Sequence, residues 1–261
     1  MLFRSYHEIK LIDPTPIYMP PYRQSIKERE TLKEEVKLML DLGIIEQSKS
    51  EWSAPVVLIP KKDGTRRFCV DYRKLNLETK TENWPLPRIQ DILDRVSGSM
   101  WFSTMDLTSG YWQIAMHPNS KEITAFSTPD GHYQFNRMPF GLKNAPAHFS
   151  RIMHHLMGHL KFVEIYLDDI TIHSQTFEEH LKHIDQVAYI LKNANISIKP
   201  TKCNWVAKKV KLLGYIVSGS GIEPDNDKIV AISNRKPPKN VKDVQSILGM
   251  FNYYRVFIKD F

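Results

Sequence analysis

Phe162-Val-Glu-Ile-Tyr-Leu-Asp168-Asp169-Ile-Thr-Ile172 is the stretch whose reading decides the fold. Short runs of apolar, β-branched and aromatic residues flank two adjacent carboxylates, which predicts a β-hairpin with Asp168 and Asp169 near its tip. Like charges side by side in an apolar setting repel each other and lose hydration. A divalent cation offsets both effects, because hard oxygen donors suit Mg²⁺. The bland alternative is a plain Asp-Asp turn, since aspartate is a common turn residue.

A third acid bears on that choice. Trp101-Phe-Ser-Thr-Met-Asp106 predicts another strand with one acid near its end. A two-metal phosphoryl-transfer site needs several carboxylates converging on cations about 3.5–4 Å apart. Here the paired and single acids come from different strands, as such a site requires. Asp106 is followed by Leu107-Thr-Ser-Gly-Tyr111, where a glycine and an aromatic would bring backbone and ring close to a ligand.

Composition bounds the rest. A chain of 261 residues that is 42% hydrophobic can bury a core as one large domain or a few subdomains, and is too apolar to be disordered. A formal net charge of +7 suits a polyanionic partner. Cys69 and Cys203 are the only cysteines, so zinc spacing is excluded and no disulfide framework is expected. There is neither a signal peptide nor an apolar run of bilayer-spanning length. The expectation is an intracellular protein with no membrane partner.

Along the chain, an extended Pro-rich segment runs to about Pro21. A helix over 25–42 carries the stripe Ile26, Leu32, Val36, Met39 and Leu40, with Gly43 at its C-cap. Strands are expected over 54–60 and 67–72. They are joined by Lys61-Lys-Asp-Gly-Thr-Arg-Arg67, a basic hairpin fit to meet phosphates or simply to be solvated. A helix over 85–96 points Ile89, Ile92, Leu93 and Val96 inward and ends at Gly98. A hairpin over 122–137 turns at Pro129-Asp-Gly131, and the Gly and Pro residues of 138–146 mark a sharp passage into a helix reaching about 160.

Thr176-Phe-Glu-Glu179 is a capping box for a helix to about 193, with Leu181, Ile184, Val187, Ala188 and Leu191 as its core stripe. His155, His159, His180 and His183 lack the acidic partner of a zinc helix and are assigned to surface or core. Strands follow over 199–206 and 210–217. The last helix, over 241–258, aligns Gln245, Gly249 and Tyr253 at i, i+4 and i+8 on one face. A small residue between an amide and an aromatic suits approach to a nucleic-acid minor groove; core packing of Tyr253 is the rival.

Asp106 with Leu-Thr-Ser-Gly-Tyr111, and Tyr166-Leu-Asp-Asp169, together resemble the palm of a reverse transcriptase of the gypsy-type LTR retrotransposons. The resemblance covers nearly the whole chain in order and spacing. It implies an α+β right-hand polymerase fold, with an antiparallel palm sheet backed by helices. Within one reverse transcriptase domain over 1–261, it implies fingers over about 1–80 and 114–144, palm over 81–113 and 145–219, and a partial thumb over 220–261. It further implies that Asp106, Asp168 and Asp169 bind two Mg²⁺ ions, replaceable by Mn²⁺, with the Leu107 carbonyl as a further ligand.

By the same resemblance, Lys61 and Arg67 hold the triphosphate of the incoming nucleotide, and Phe140 and Gly141 close its pocket. Phe140 stands where retroviral relatives carry glutamine, so contact there rests on apolar packing and backbone. Tyr111 would lie under the sugar and exclude ribonucleotides, while Leu167 bears on fidelity. Leu213 and Gly214 resemble the primer grip, and the face of Gln245, Gly249 and Tyr253 the thumb helix that tracks the duplex.

The implied function is RNA-directed DNA polymerase, acting on an RNA or DNA template-primer with dNTPs. The chain would be a piece of a polyprotein whose protease, RNase H and integrase parts are not in it. It would work in cytoplasmic virus-like particles with nuclear access. One alternative is an inactive or domesticated polymerase fold that binds RNA–DNA hybrid as a scaffold. Another is an RNA-templated RNA polymerase, against which Tyr111 and Tyr-Leu-Asp-Asp speak.

Overall fold

A computed structural model describes residues 5–60, 64, 66–107 and 110–261. Strand β1 (Tyr6–His7) and helix α1 (Ile26–Asp41) precede strands β2 (Ile45–Gln47), β3 (Ala54–Pro60) and β4 (Arg66–Val70). Helices α2 (Arg73–Glu78) and α3 (Ile89–Val96) then lead to β5 (Trp101–Asp106). Next come β6 (Ala115–Met116), α4 (Pro118–Lys121), β7 (Phe126–Thr128), β8 (Gly131–Phe135) and α5 (Ala145–Met157). The hairpin β9 (Val163–Tyr166) and β10 (Asp169–Ser174) is followed by α6 (Phe177–Asn193) and β11 (Asn204–Ala207). Strands β12 (Lys209–Leu212), β13 (Tyr215–Ser218) and β14 (Gly221–Pro224) and helices α7 (Asn226–Ser233) and α8 (Val241–Tyr253) complete the chain.

These elements build an α+β fold around two larger sheets. The first has the order β11-β5-β10-β9 and is antiparallel throughout. Its central strand β10 is buried from Ile170 to Ser174, covered by α6, while α5 lies against β9. The second has the order β2-β8-β7-β3-β4, with a parallel pairing of β3 and β7 inside otherwise antiparallel hairpins. A three-stranded meander, β12-β13-β14, packs Val210, Leu212, Tyr215 and Val217 onto α3 and Phe102.

Helix starts follow local chemistry. Ser25 and Glu28 form a complete capping box for α1, and Thr176 and Glu179 one for α6. Gly43, just past α1, takes φ +64°, the left-handed conformation that glycine tolerates at a helix end.

Several expectations need correction. Ile26 is 80% exposed, because at about 100° per residue it lies roughly 120° around the helix from Leu32. The buried stripe of α1 is Leu32, Val36 and Met39. In α6 it is His180, Val187 and Leu191. Leu181 and Ala188, seven residues apart, both lie about 90° to one side of that stripe and are exposed. His180 is a satisfied core histidine, hydrogen-bonded to Ser103 and Ser174 at 2.8 Å each.

Residues 199–206 are not one strand, because Pro200–Lys202 forms a 3-10 turn and β11 starts only at Asn204. The last helix stops at Tyr253 and passes into a separate 3-10 turn, and α2 and α7 are helices beyond those expected. Among the described residues no helix is long and apolar enough to cross a membrane.

Candidate active site

The β9–β10 pairing sets Tyr166 opposite Asp169, leaving Leu167 and Asp168 as a two-residue loop. Leu167 takes φ +56°, as the first position of a primed hairpin turn requires, at a steric cost of about 1–2 kcal/mol for a residue with a Cβ. That turn puts Asp168 at the tip and starts β10 at Asp169. The β5–β10 register then sets Asp169 directly across from Asp106. The sheet brings the three acids together from two strands and one turn.

Directly opposed like charges destabilise a sheet, and the electrostatics reflect it. Partial burial, then Asp168 and Asp106, push the Asp169 carboxyl above the usual carboxylate range, with Lys202 opposing. Lys202 Nζ lies 3.1 Å from Asp106 Oδ2, and the Lys199 amide donates to the Asp106 carbonyl at 2.9 Å. Leu107, 3% exposed, is bridged to Ile198.

Among the described residues no three acidic, His or Cys side chains are already closed around a single ion position. Hard oxygen donors from neighbouring strands, crowding one another's charge and drawing in an ammonium group, are nevertheless a donor set that fits a divalent cation.

Tyr111 stands beside the acids on a 3-10 turn, Gly110–Gln113. Burial and the Asp168 charge push its hydroxyl up to about 12. Its ring lies between Phe140 (centroids 4.9 Å apart) and Phe149 (5.6 Å). Gly110 is pressed against the core rather than against a ligand: a Cβ there would meet Phe149 Cζ at 3.0 Å. Phe140 is 46% exposed and also edges Trp112.

Gly141 has φ +94°, and its carbonyl accepts from Asn76 Nδ2 at 2.8 Å. Asn76 Oδ1 in turn accepts from the Lys143 amide at 2.8 Å. One side chain of α2 thereby fastens both ends of the turn beside the aromatic cluster.

Arg67 is exposed on β4 opposite Ile59, and its neighbour Arg66 is ion-paired with Glu28 of the α1 cap. Lys61 lies outside the described residues. Leu213 and Gly214 form the loop between β12 and β13. Gln245 and Gly249 are exposed on α8, with open space over Gly249. The Tyr253 hydroxyl donates to the Leu213 carbonyl. Sequence reasoning missed Lys202, Asn76 and Tyr254. Their neighbours lie 96, 65 and 40 positions away, and no local pattern marks such contacts.

Residues 59–217, more than half of the chain, match the family described as reverse transcriptase (RNA-dependent DNA polymerase), and the chain belongs to that family. It is 38% identical over 261 residues to the retrovirus-related Pol polyprotein from transposon opus of Drosophila melanogaster, and 36% identical to that from transposon gypsy. Each alignment covers 97% of this chain, and 26% and 25% of the respective relatives.

The Tf2-3 polyprotein of Schizosaccharomyces pombe is 38% identical over 88% of this chain and 17% of its own length. The chain thus spans about a quarter of the first two relatives. Among solved structures, foamy viral protease-reverse transcriptase in complex with double-stranded DNA superposes at a TM-score of 0.90 with 27% identity, over 97% of this chain and 45% of the other. The same enzyme with an RNA/DNA hybrid superposes at 0.87 with 27% identity, over 97% and 34%.

Proposed function

We propose that this chain is the polymerising part of a retrotransposon Pol polyprotein, adding dNTPs to a primer 3′ end on an RNA or DNA template. The observation that carries this reading is the in-register opposition of Asp106 and Asp169, with Asp168 at the adjoining turn. Asp106, Asp168 and Asp169 would hold Mg²⁺ or Mn²⁺, with the Leu107 carbonyl beside them. When bound, such ions favour ionisation of the primer 3′-hydroxyl and neutralise charge on the departing pyrophosphate.

The chain's own residues do the positioning. Arg67, with Lys61, would meet the triphosphate, where fixed positive charge offsets the charge that develops in the transition state. Gly141 keeps backbone available beside the base-pair site, and the exposed Phe140 ring offers it an apolar wall. The Tyr111 ring, braced by Phe140 and Phe149, would block a sugar 2′-hydroxyl. Leu213 and Gly214 would hold the primer end, and Gln245, Gly249 and Tyr253 would face the duplex. Template sequence is read by base pairing, so protein contacts go to the backbone and weaken with salt.

Residues 1–80 and 114–144 would act as fingers, 81–113 and 145–219 as palm, and 220–261 as part of a thumb. Protease, RNase H and integrase would be its partners in the whole polyprotein. Work inside a cytoplasmic particle, with later nuclear access, belongs to this same reading.

The test is extension of a DNA primer on an RNA template with dNTPs and Mg²⁺, with Asp168→Asn and Asp169→Asn as controls. Extension lost in both variants supports the reading. Salt-sensitive hybrid binding without extension by the parent chain would instead mark a binding scaffold, a role that the presence of all three acids disfavours.

A further inference from the structure

Helix α8 is held to the rest of the molecule in an unusual way. Neither α7 nor α8 buries a residue within its own span. Attachment is concentrated where α8 ends, at three tyrosines. Tyr254, just past the helix, is 7% exposed and packs into the cluster of α3 and the meander. Its ring lies 5.4 Å from Tyr215 and 5.0 Å from Tyr253, and Tyr215 and Tyr253 stack at 5.3 Å.

The hydroxyls are more specific than the rings. Strands β12 and β13 pair up to Leu212 and Tyr215, so Leu213 and Gly214 form a two-residue loop. Both have positive φ, +49° and +78°, as a type I′ turn demands. Tight hairpin loops leave their own carbonyls without a ladder partner, and such groups need one from elsewhere. Here Tyr253 Oη donates to the Leu213 carbonyl and Tyr254 Oη to the Gly214 carbonyl at 2.9 Å, where the Asp225 amide adds a longer bond at 3.4 Å. Tyr215 Oη returns a bond to the Tyr253 carbonyl at 2.7 Å.

We infer that Tyr253 and Tyr254 are positioning residues, which clasp consecutive carbonyls of the Leu213–Gly214 turn so that α8 and this turn move as one body. The inference rests on the reading of the chain as a polymerase whose turn meets the primer end. Through the clasp, displacement of α8 by a bound duplex is passed directly to the primer terminus. Burial and neighbouring tyrosines push the Tyr253 hydroxyl up to about 12, so it remains a donor at neutral pH. A cleft of about 660 Å³ between Gly214, Ile232, Gly249 and Met250 leaves room for the helix pair to shift about this attachment. The clasp also engages the Tyr253 hydroxyl, leaving the ring and Gly249 as what that face can offer a groove.

The test separates positioning from binding. Parent, Tyr254→Phe and Tyr215→Phe proteins are compared for template-primer Kd by anisotropy and for fluorescence of 2-aminopurine at the primer terminus. The rate of a single nucleotide addition is measured alongside. Loss of one hydroxyl removes about one net hydrogen bond. The expected result is a Kd within about twofold of the parent, a changed terminal fluorescence, and addition slowed by about tenfold.

Unchanged fluorescence and rate in both variants overturn the inference. So does a loss of affinity that accounts for the whole loss of rate, since that is a merely structural defect. Should Tyr254→Phe fail to fold, Tyr253→Phe, which keeps the ring and frees the Leu213 carbonyl, decides alone. A parent chain that binds hybrid but never extends it sinks the polymerase reading, while terminal fluorescence still judges the clasp.

Discussion

Lys202 Nζ sits 3.1 Å from Asp106 Oδ2, so a side chain of this protein holds the acid that a metal ion would use. The pair is partly solvent-exposed, with side chains 56% and 33% accessible, and is worth only about 0.2–1 kcal/mol to the fold. Its larger effect is competition. Lys202→Met is expected to tighten Mn²⁺ binding about threefold or more without nucleic acid, since a nearby positive charge is removed. Paramagnetic resonance titration of Mn²⁺ checks this. An unchanged affinity would mean that the ammonium group swings away at no cost.

The Asn76 bridge predicts a selective defect. Asn76→Ala leaves the Gly141 carbonyl and the Lys143 amide without their partner and loosens the turn between them. The KM for dNTP is expected to rise about three- to tenfold with kcat less affected, the signature of lost substrate placement. Gly141→Ala should be worse, because a side chain at φ +94° is strained by about 1–3 kcal/mol. Steady-state kinetics on both variants, with equal losses in kcat and KM effects, would refute the distinction.

Tyr111 should act through its ring. The ring is fixed between Phe140 and Phe149. Tyr111→Phe is therefore expected to keep discrimination against ribonucleotides within about threefold, and Tyr111→Ala to relax it by more than tenfold, as steric exclusion rather than hydrogen bonding predicts. Competition between rCTP and dCTP measures it. Equal relaxation in both variants would assign the role to the hydroxyl.

Acid should weaken the fold through buried imidazoles. Burial, helped by His183, Arg95 and His180, lowers His173 from 6.5 to about 4, and burial with His148 and Arg151 lowers His7 to about 3. Below about pH 6.5 the unfolded chain takes up these protons and the folded chain does not, so stability falls as pH drops toward 4. For His173 the loss is about 2 kcal/mol near pH 5. The gap between urea midpoints at pH 7 and pH 5 should narrow in His173→Gln, with His7 among the groups that keep the remainder, and an unaltered pH slope would count against this origin.

The parts legible from sequence were those governed by short-range rules. The Asp168-Asp169 hairpin, the strand ending at Asp106, the helix that opens at Ser25 and the capping box at Thr176 all depend on residues within a few positions of each other. Helical burial was read less well. Leu181 looked like core by its type, yet the helix phase assigns its place to His180, whose two hydrogen bonds make burial tolerable. Contacts such as Lys202 with Asp106, or Tyr254 with the Gly214 carbonyl, depend on how distant elements meet, and nothing local announces them. Lys61 lies outside the described residues, so its expected contact with phosphate rests on sequence alone.

The two larger sheets are threaded alternately by the chain. Strands β3 and β4 belong to one, β5 to the other, β7 and β8 to the first again, and β9, β10 and β11 to the second. The stretches that complete the two sheets therefore overlap along the chain. During synthesis, β3 waits for β7 across more than half a hundred residues, and β5 waits about as long for β10. Pairings so remote in sequence form slowly and leave strand edges open meanwhile. A chain cut between residues 107 and 125 leaves each piece with strands of both sheets and the whole of neither, so the two sheets must mature together.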